Sequence, residues 1–190
     1  MRHKIQALFM FAVLLTTSVA FAAGTYTIDP VHTSFGFTVK HMMISNVPGE
    51  FDKFSGTITY NPADLANSKA DVTIDVSSIN TRIDKRDTHL KSPDFFDAAK
   101  FPTITFVSTK FTPTAITGNL TMKGVTKEVT IPVTISGPVD EMGHQAIGIT
   151  GSVTVNRQDY GINYNKVLDQ GGLAVSNDVL ITISIEADQK

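Results

Sequence analysis

Between Thr33 and Ser45 the side chains take turns. Phe35, Phe37, Val39, His41 and Met43 share one parity; Ser34, Gly36, Thr38, Lys40 and Met42 share the other. A period of two places alternate residues on opposite faces of a β-strand, one apolar with a single imidazole, the other mostly polar. The same alternation returns down the length of the chain. It restricts the protein to folds built from amphipathic strands, each with one buried and one wet face.

The first strand starts at Thr25–Asp29, with Pro30 as an irregularity, and ends near Asn46-Val-Pro-Gly49, which reads as a turn. The second run carries Phe54, Gly56, Ile58 and Tyr60 on one side, and the third alternates Val72, Ile74 and Val76 with Asp71, Thr73, Asp75 and Ser77. Later runs are marked by Ile104 and Phe106, by Ile116, Gly118, Leu120 and Met122, and by Val129, Ile131, Val133 and Ile135. A loop over Gly137–Gln145 precedes the seventh run (Ile147, Ile149, Gly151, Val153, Val155). The last holds Val179, Ile181, Ile183 and Ile185. Asn156–Asn177 is long and aperiodic, with Gly171-Gly172 as a flexible point.

One stretch breaks the pattern. Asp84–Ser92 has helix-start chemistry, with Asp84 as cap and Asp87 in the first turn, where Lys91 can pair with it. Ser92-Pro93 reads as a second helix start, and Phe95, Phe96 and Phe101 give the insert something to bury. The expected fold is all-β: an eight-stranded antiparallel barrel with a short helical insert between strands 3 and 4. A two-sheet sandwich is the alternative, because periodicity does not reveal closure.

Residues 1–22 read as a cleaved signal peptide, with basic Arg2 and Lys4, an apolar run from Ile5 to Val19 and an Ala20-Phe-Ala22 site. Cleavage would leave 168 of the 190 residues (23–190) as one domain, and the periplasm is the expected compartment. Without Arg2 and Lys4 the chain has 14 basic and 18 acidic residues, net −4, with no basic block, so nucleic acid is not an expected partner. The chain has no Cys, which excludes disulfides and thiolate metal sites.

Asp29-Pro-Val-His-Thr-Ser-Phe-Gly-Phe-Thr-Val-Lys-His41 and Gly49-Glu-Phe-Asp-Lys-Phe-Ser-Gly56 resemble the opening of the YceI family of bacterial secreted proteins. Arg86-Asp-Thr-His-Leu-Lys-Ser-Pro-Asp-Phe-Phe96 is similar to its central helical signature. Pro102–Ser108, Leu120–Val129 and Arg157–Ile162 match later blocks, so the resemblance spans Tyr26 to Ala187. It implies a lipocalin-like barrel, periplasmic and often linked to stress responses, whose pore holds a polyisoprenoid, quinone-type or similar long amphiphilic lipid. It requires no cofactor. The lipocalin Gly-x-Trp start is missing, since the chain has no Trp.

With that resemblance the inward face becomes a candidate lining: Phe35, Phe37, Val39, His41, Met43, Phe54, Ile58, Val72, Ile74, Ile104, Phe106, Leu120, Met122, Ile131, Val133, Ile149, Val153, Ile181 and Ile183. Each CH₂ of a ligand chain gains about 0.8 kcal/mol on leaving water, so such a site needs shape more than polar anchors. An ordinary filled core, in a structural or stress-protective protein, accounts for the same residues. His41 reads as a core imidazole satisfied by a carbonyl, as a hydrogen-bond partner for a ligand head group, or as a metal ligand. An enzyme acting on a hydrophobic substrate would use it as base. His32, His89 and His144 lack ligand spacing, so no metal site is expected. Arg86, Asp87 and His89 read as structural, tying the insert to the strands, with Arg157 and Asp159 pairing to it across the barrel mouth. No catalytic motif is present. Contact with an inner-membrane protein would be transient, given the acidic charge, and the oligomeric state is open.

Overall fold

The computed structural model describes residues 23–141, 143–166 and 174–189. The signal-peptide reading of residues 1–22 and the Gly171-Gly172 point lie outside them. The chain runs β1 (Gly24–Ile28), β2 (Ser34–His41), β3 (Ser45–Phe51), β4 (Phe54–Tyr60), β5 (Lys69–Asp75), β6 (Ile79–Asn80), α1 (Asp84–Lys91), β7 (Thr103–Thr112), β8 (Ala115–Met122), β9 (Val125–Glu141), β10 (His144–Asn156) and β11 (Val175–Gln189). Neighbours pair in the order β1-β4-β5-β7-β8-β9-β10-β11, and a β11–β1 pairing joins the ends. The result is an eight-stranded closed antiparallel barrel with one helix. The sandwich is excluded by that closing pair.

Three of the eight strands are interrupted. β1 and β2 both pair with β11 (Ile28↔Ala187, then Ser34↔Ser184), so Asp29–Thr33 is an outward bulge in one long strand. β3 and β4 break opposite it at Asp52-Lys53. β5 and β6 break at a 3-10 turn, Val76–Ser78, which steers the chain toward α1. The Asp75 carboxylate accepts from the Ser77 N–H at 2.8 Å and so caps that turn. Its hydrogen bonds to Ser77, then nearby Lys53 and Lys91, hold it below the usual 3.8. A depressed carboxylate contributes stability above its unfolded pKa and loses it as pH falls through the folded one. Asp75→Asn should therefore melt earlier than the native chain at neutral pH, with the gap closing below about pH 4.

Four local expectations are corrected. Asn46-Val-Pro-Gly49 is strand rather than turn. Pro48 is tolerated because β3 is an edge there, with only β2 as neighbour until Glu50 meets Asn80. The turn falls instead at Met42 and Met43, both left-handed (φ 50° and 62°), with the Met42 N–H donating to the Ala174 carbonyl at 2.9 Å. Gly137–Gln145 is mostly strand: a bulge at Gly137 (φ 92°) shifts the register, and pairing resumes with Val139↔Ala146. Asp84 does not cap α1; Ile83 is the N-cap, with no side-chain bond. Ser92 starts no second helix but closes α1, its hydroxyl and N–H both donating to the His89 carbonyl.

The core has two parts. Away from the Met42–Met43 turn, Tyr26, Ile58, Ile147, Ile149 and Ala187 seal one end of the barrel. The Tyr26 hydroxyl there is buried without a hydrogen-bond partner among the described residues, and burial pushes its pKa up. An unpaired buried hydroxyl is a cost, so Tyr26→Phe should be neutral or stabilising by about 1 kcal/mol in thermal denaturation. Toward the turn, Phe51, Val76, Ile79, Met122 and Tyr160 form a second cluster, and this one is hollow.

Candidate binding cavity

The hollow is a cavity of about 350 Å³ lined almost wholly by apolar side chains from the strands, α1 and the β10–β11 connection. That lies within the range of small-ligand sites. It opens beside exposed His41 and Tyr164. Below it lies a second apolar cavity of about 80 Å³, lined by Ile58, Val72, Ile131, Ile149 and Ile183 among others. Phe35, Ile74, Ile104, Leu120 and Ile181 line both, so this one layer of side chains separates them.

A glycine makes the upper chamber possible. Phe37 lies across its β3 partner Gly49, where an added Cβ would sit 2.3 Å from the Phe37 Cζ. The ring therefore lies flat on the wall. Phe51 bridges to the insert, tilted against Phe37 (5.8 Å between centroids) and edge-on to Phe96 (6.0 Å). His89 packs edge-on between Phe95 and Tyr164 at 5.0 and 4.8 Å, so the insert and the late connection meet at the mouth. Beside it, Met42, Met43 and Ile44 form an exposed apolar rim, with Ile44 86% exposed.

α1 is fixed by polar contacts. Buried Asp87 accepts from the Thr81 N–H at 3.0 Å and from the Thr81 hydroxyl. Arg86 donates through Nε to the Thr81 hydroxyl and through Nη2 to the Thr81 carbonyl, both at 2.7 Å. Thr81, in the link between β6 and the helix, is thus held by its hydroxyl, N–H and C=O. Asp87 turns to Thr81 rather than to Lys91. Arg157 and Asp159 do not reach across to this insert. Arg157, 5% exposed, donates to the Ser176 carbonyl (2.9 Å), the Ile162 carbonyl (2.6 Å) and Asn177 Oδ1 (3.3 Å), while Asp159 is exposed. Burial lowers the Arg157 pKa below the ordinary guanidinium range and raises that of Tyr160, helped by Asp159.

Of the residues singled out from sequence, Phe37, Val39, His41 and Met122 line the upper cavity only; Ile58, Val72, Phe106, Ile131, Val133, Ile149, Val153 and Ile183 line the lower one only. Phe35, Ile74, Ile104, Leu120 and Ile181 line both. Met43 and Phe54 line neither: Met43 is exposed in the turn, and Phe54 packs edge-on against Phe35 at 4.9 Å. His41 is not a core imidazole; its strand ends there and leaves it exposed at the rim. Alternation missed Val47, Phe51, Leu90, Phe95, Ile162, Tyr164 and Val175, which line the cavity from β3, the insert, the late connection and the start of β11, and the placing of Arg86, His89 and Arg157 there. It also missed that the Asp29–Thr33 bulge brings His32 Nδ1 to 2.5 Å from Asp29 Oδ2 and 3.3 Å from Glu186 Oε1. Their ligand atoms lie within 4.8 Å of one another. Hydrogen bonding to the Val31 N–H, then His32, lowers the Asp29 pKa.

A family model described as the YceI-like domain matches residues 26–187. A UPF0312 protein of Staphylococcus aureus is 42% identical over 165 residues, covering 85% of this chain and 95% of its own. Among solved structures, BcnA of Burkholderia cenocepacia superposes with a TM-score of 0.74 at 27% identity (84% of this chain, 98% of its own). The YCEI protein of Campylobacter jejuni does so with 0.68 at 30% identity (97% and 99%). A polyisoprenoid binding domain from Saccharophagus degradans has a TM-score of 0.66 at 16% identity (87% and 98%), a likeness of fold alone.

Proposed function

This chain belongs to the YceI-like domain family, and from that premise we propose that it is a binding protein holding a long isoprenoid or similar amphiphilic lipid, polyprenyl or quinone-like, in its barrel. The observation that carries this reading is the pair of neighbouring apolar cavities inside the barrel, which share one layer of side chains. A slender chain with many CH₂ and CH₃ groups suits such a space, and apolar burial alone supplies about 0.8 kcal/mol per buried CH₂. The Saccharophagus degradans domain, described as polyisoprenoid binding, supports it by likeness of fold. The protein acts as a carrier rather than an enzyme. Among the described residues the hydroxyls in the lining are those of Tyr164 and Thr81, the latter already committed to Asp87 and Arg86, and the chain has no Cys to serve as nucleophile. Export through residues 1–22 to the periplasm fits that role, with lipid exchanged in brief visits to the inner membrane or a protein in it.

Native mass spectrometry of the protein, purified gently from its own host and followed by organic extraction, tests the proposal. One lipid of defined mass per chain is the expected result. An empty barrel that also refuses added isoprenoids would overturn it and leave a stress-protective protein with a filled core.

A further inference from the structure

Resting on the lipid-carrier reading, we infer that the cavity mouth receives an anionic head group, a phosphate or carboxylate at the end of the ligand's apolar chain. The charge of the lining points there. Among the described residues, the cavity is lined by two guanidiniums, Arg86 and Arg157, and two imidazoles, His41 and His89, but by no carboxylate. This is so although the whole chain carries more acidic than basic residues.

Arg157 is the sharper case. It is 5% exposed, and among the described residues its hydrogen bonds go to two carbonyls and an amide oxygen. Neutral acceptors satisfy N–H groups without cancelling the charge, whereas buried charges in proteins are ordinarily paired. A guanidinium has five N–H donors in a planar fork that matches carboxylate and phosphate oxygens. Among the described residues, three of Arg157's are committed and Arg86 commits its Nε and one Nη2 donor to Thr81, which leaves each with donors for a ligand. The two arginines come from different elements, α1 and the connection after β10, which are joined at the mouth by the His89–Tyr164 contact. Asp94, the acid nearest this contact, is exposed and pairs with His89 from outside the lining. An anion at the mouth would neutralise the buried charge while its chain fills the apolar space; a neutral alcohol would do only the second.

The test uses head-group pairs on one chain: geranylgeranyl phosphate against geranylgeraniol, and palmitate against hexadecanol, titrated into the delipidated protein at low and high salt. Each anion is expected to bind at least about tenfold tighter than its alcohol, the size of one charge-assisted hydrogen bond. The preference should shrink with salt and fall toward unity in Arg157→Gln and Arg86→Gln. Preference for the phosphate alone would assign a prenyl phosphate; preference for both anions assigns the shared anionic chemistry. Equal binding of anion and alcohol overturns the head-group inference but leaves the carrier reading intact. A preference that survives in both variants overturns its assignment to these arginines. Binding of no member of either pair overturns the carrier reading itself. Should Arg157→Gln fail to fold, the native pairs and their salt dependence still decide.

Discussion

Phe37→Asp is expected to empty the cavity while leaving the barrel closed. Phe37 sits in mid-strand on β2, paired with Ile181 on β11 and Gly49 on β3, and its ring lies on the wall of the upper chamber. It is only partly buried, and the backbone ladder does not depend on its side chain, so sheet content by circular dichroism should survive. Loss of the ring should cost about 2–3 kcal/mol of stability, toward the low end for a buried phenylalanine. The larger effect is on the ligand. A lipid chain passing the introduced carboxylate must strip water from it with an apolar wall around it, at a cost of several kcal/mol, which for about 3 kcal/mol is roughly a hundredfold in affinity. Native mass spectrometry should show lipid lost from this variant and retained by Met43→Asp, whose exposed position outside the lining makes it the control. Equal occupancy in the two variants would mean that no chain runs past Phe37.

How far the sequence reveals such a site depends on the distance over which each residue is positioned. The strand faces were legible because period two is a local property: Ile58, Val72, Leu120, Ile131 and Ile149 are buried as their parity requires. The number of runs and the short turns between them suited an antiparallel barrel, but its closure shows only in the β11–β1 pairing. Boundaries were less visible. Asn46-Val-Pro-Gly49 carries stronger turn chemistry than Met42-Met43, but the free edge of β3 makes its proline harmless, and the hydrogen bond from Met42 to Ala174 places the turn earlier. That shift of a few residues decides that Met43 leaves the lining and that His41 stands at the rim instead of in the core. The mouth was the least legible part. Residues on α1 meet residues of the late connection, as His89 meets Tyr164, through contacts between residues 75 positions apart that have no periodic signature. Arg86 and Arg157 each stood out by residue type. That they line one cavity, with no carboxylate among the described residues lining it, needed the fold.

Asp87→Ala should be the most destabilising substitution outside the barrel wall. Asp87 and Thr81 are both buried, and the carboxylate accepts from both the N–H and the hydroxyl of Thr81. Alanine leaves that N–H orphaned, at about 1–3 kcal/mol, and removes the negative charge beside Arg86, whose Nε and Nη2 hold the same threonine. A total near 3 kcal/mol corresponds to a fall in Tm of roughly 6–12 °C for a chain of this size. Thr81→Val removes the hydroxyl but keeps the backbone donor, so it should cost less. Because Thr81, Arg86 and Asp87 act as one clamp, the double variant should lose less than the two single losses added together. The same clamp sets where α1 presents Arg86, His89 and Leu90 to the cavity. Asp87→Ala should therefore also speed lipid release at temperatures where the barrel is still folded. An unchanged Tm would show that α1 is held by its aromatic contacts, Phe51 with Phe96 and His89 with Tyr164, and that the clamp only orients it.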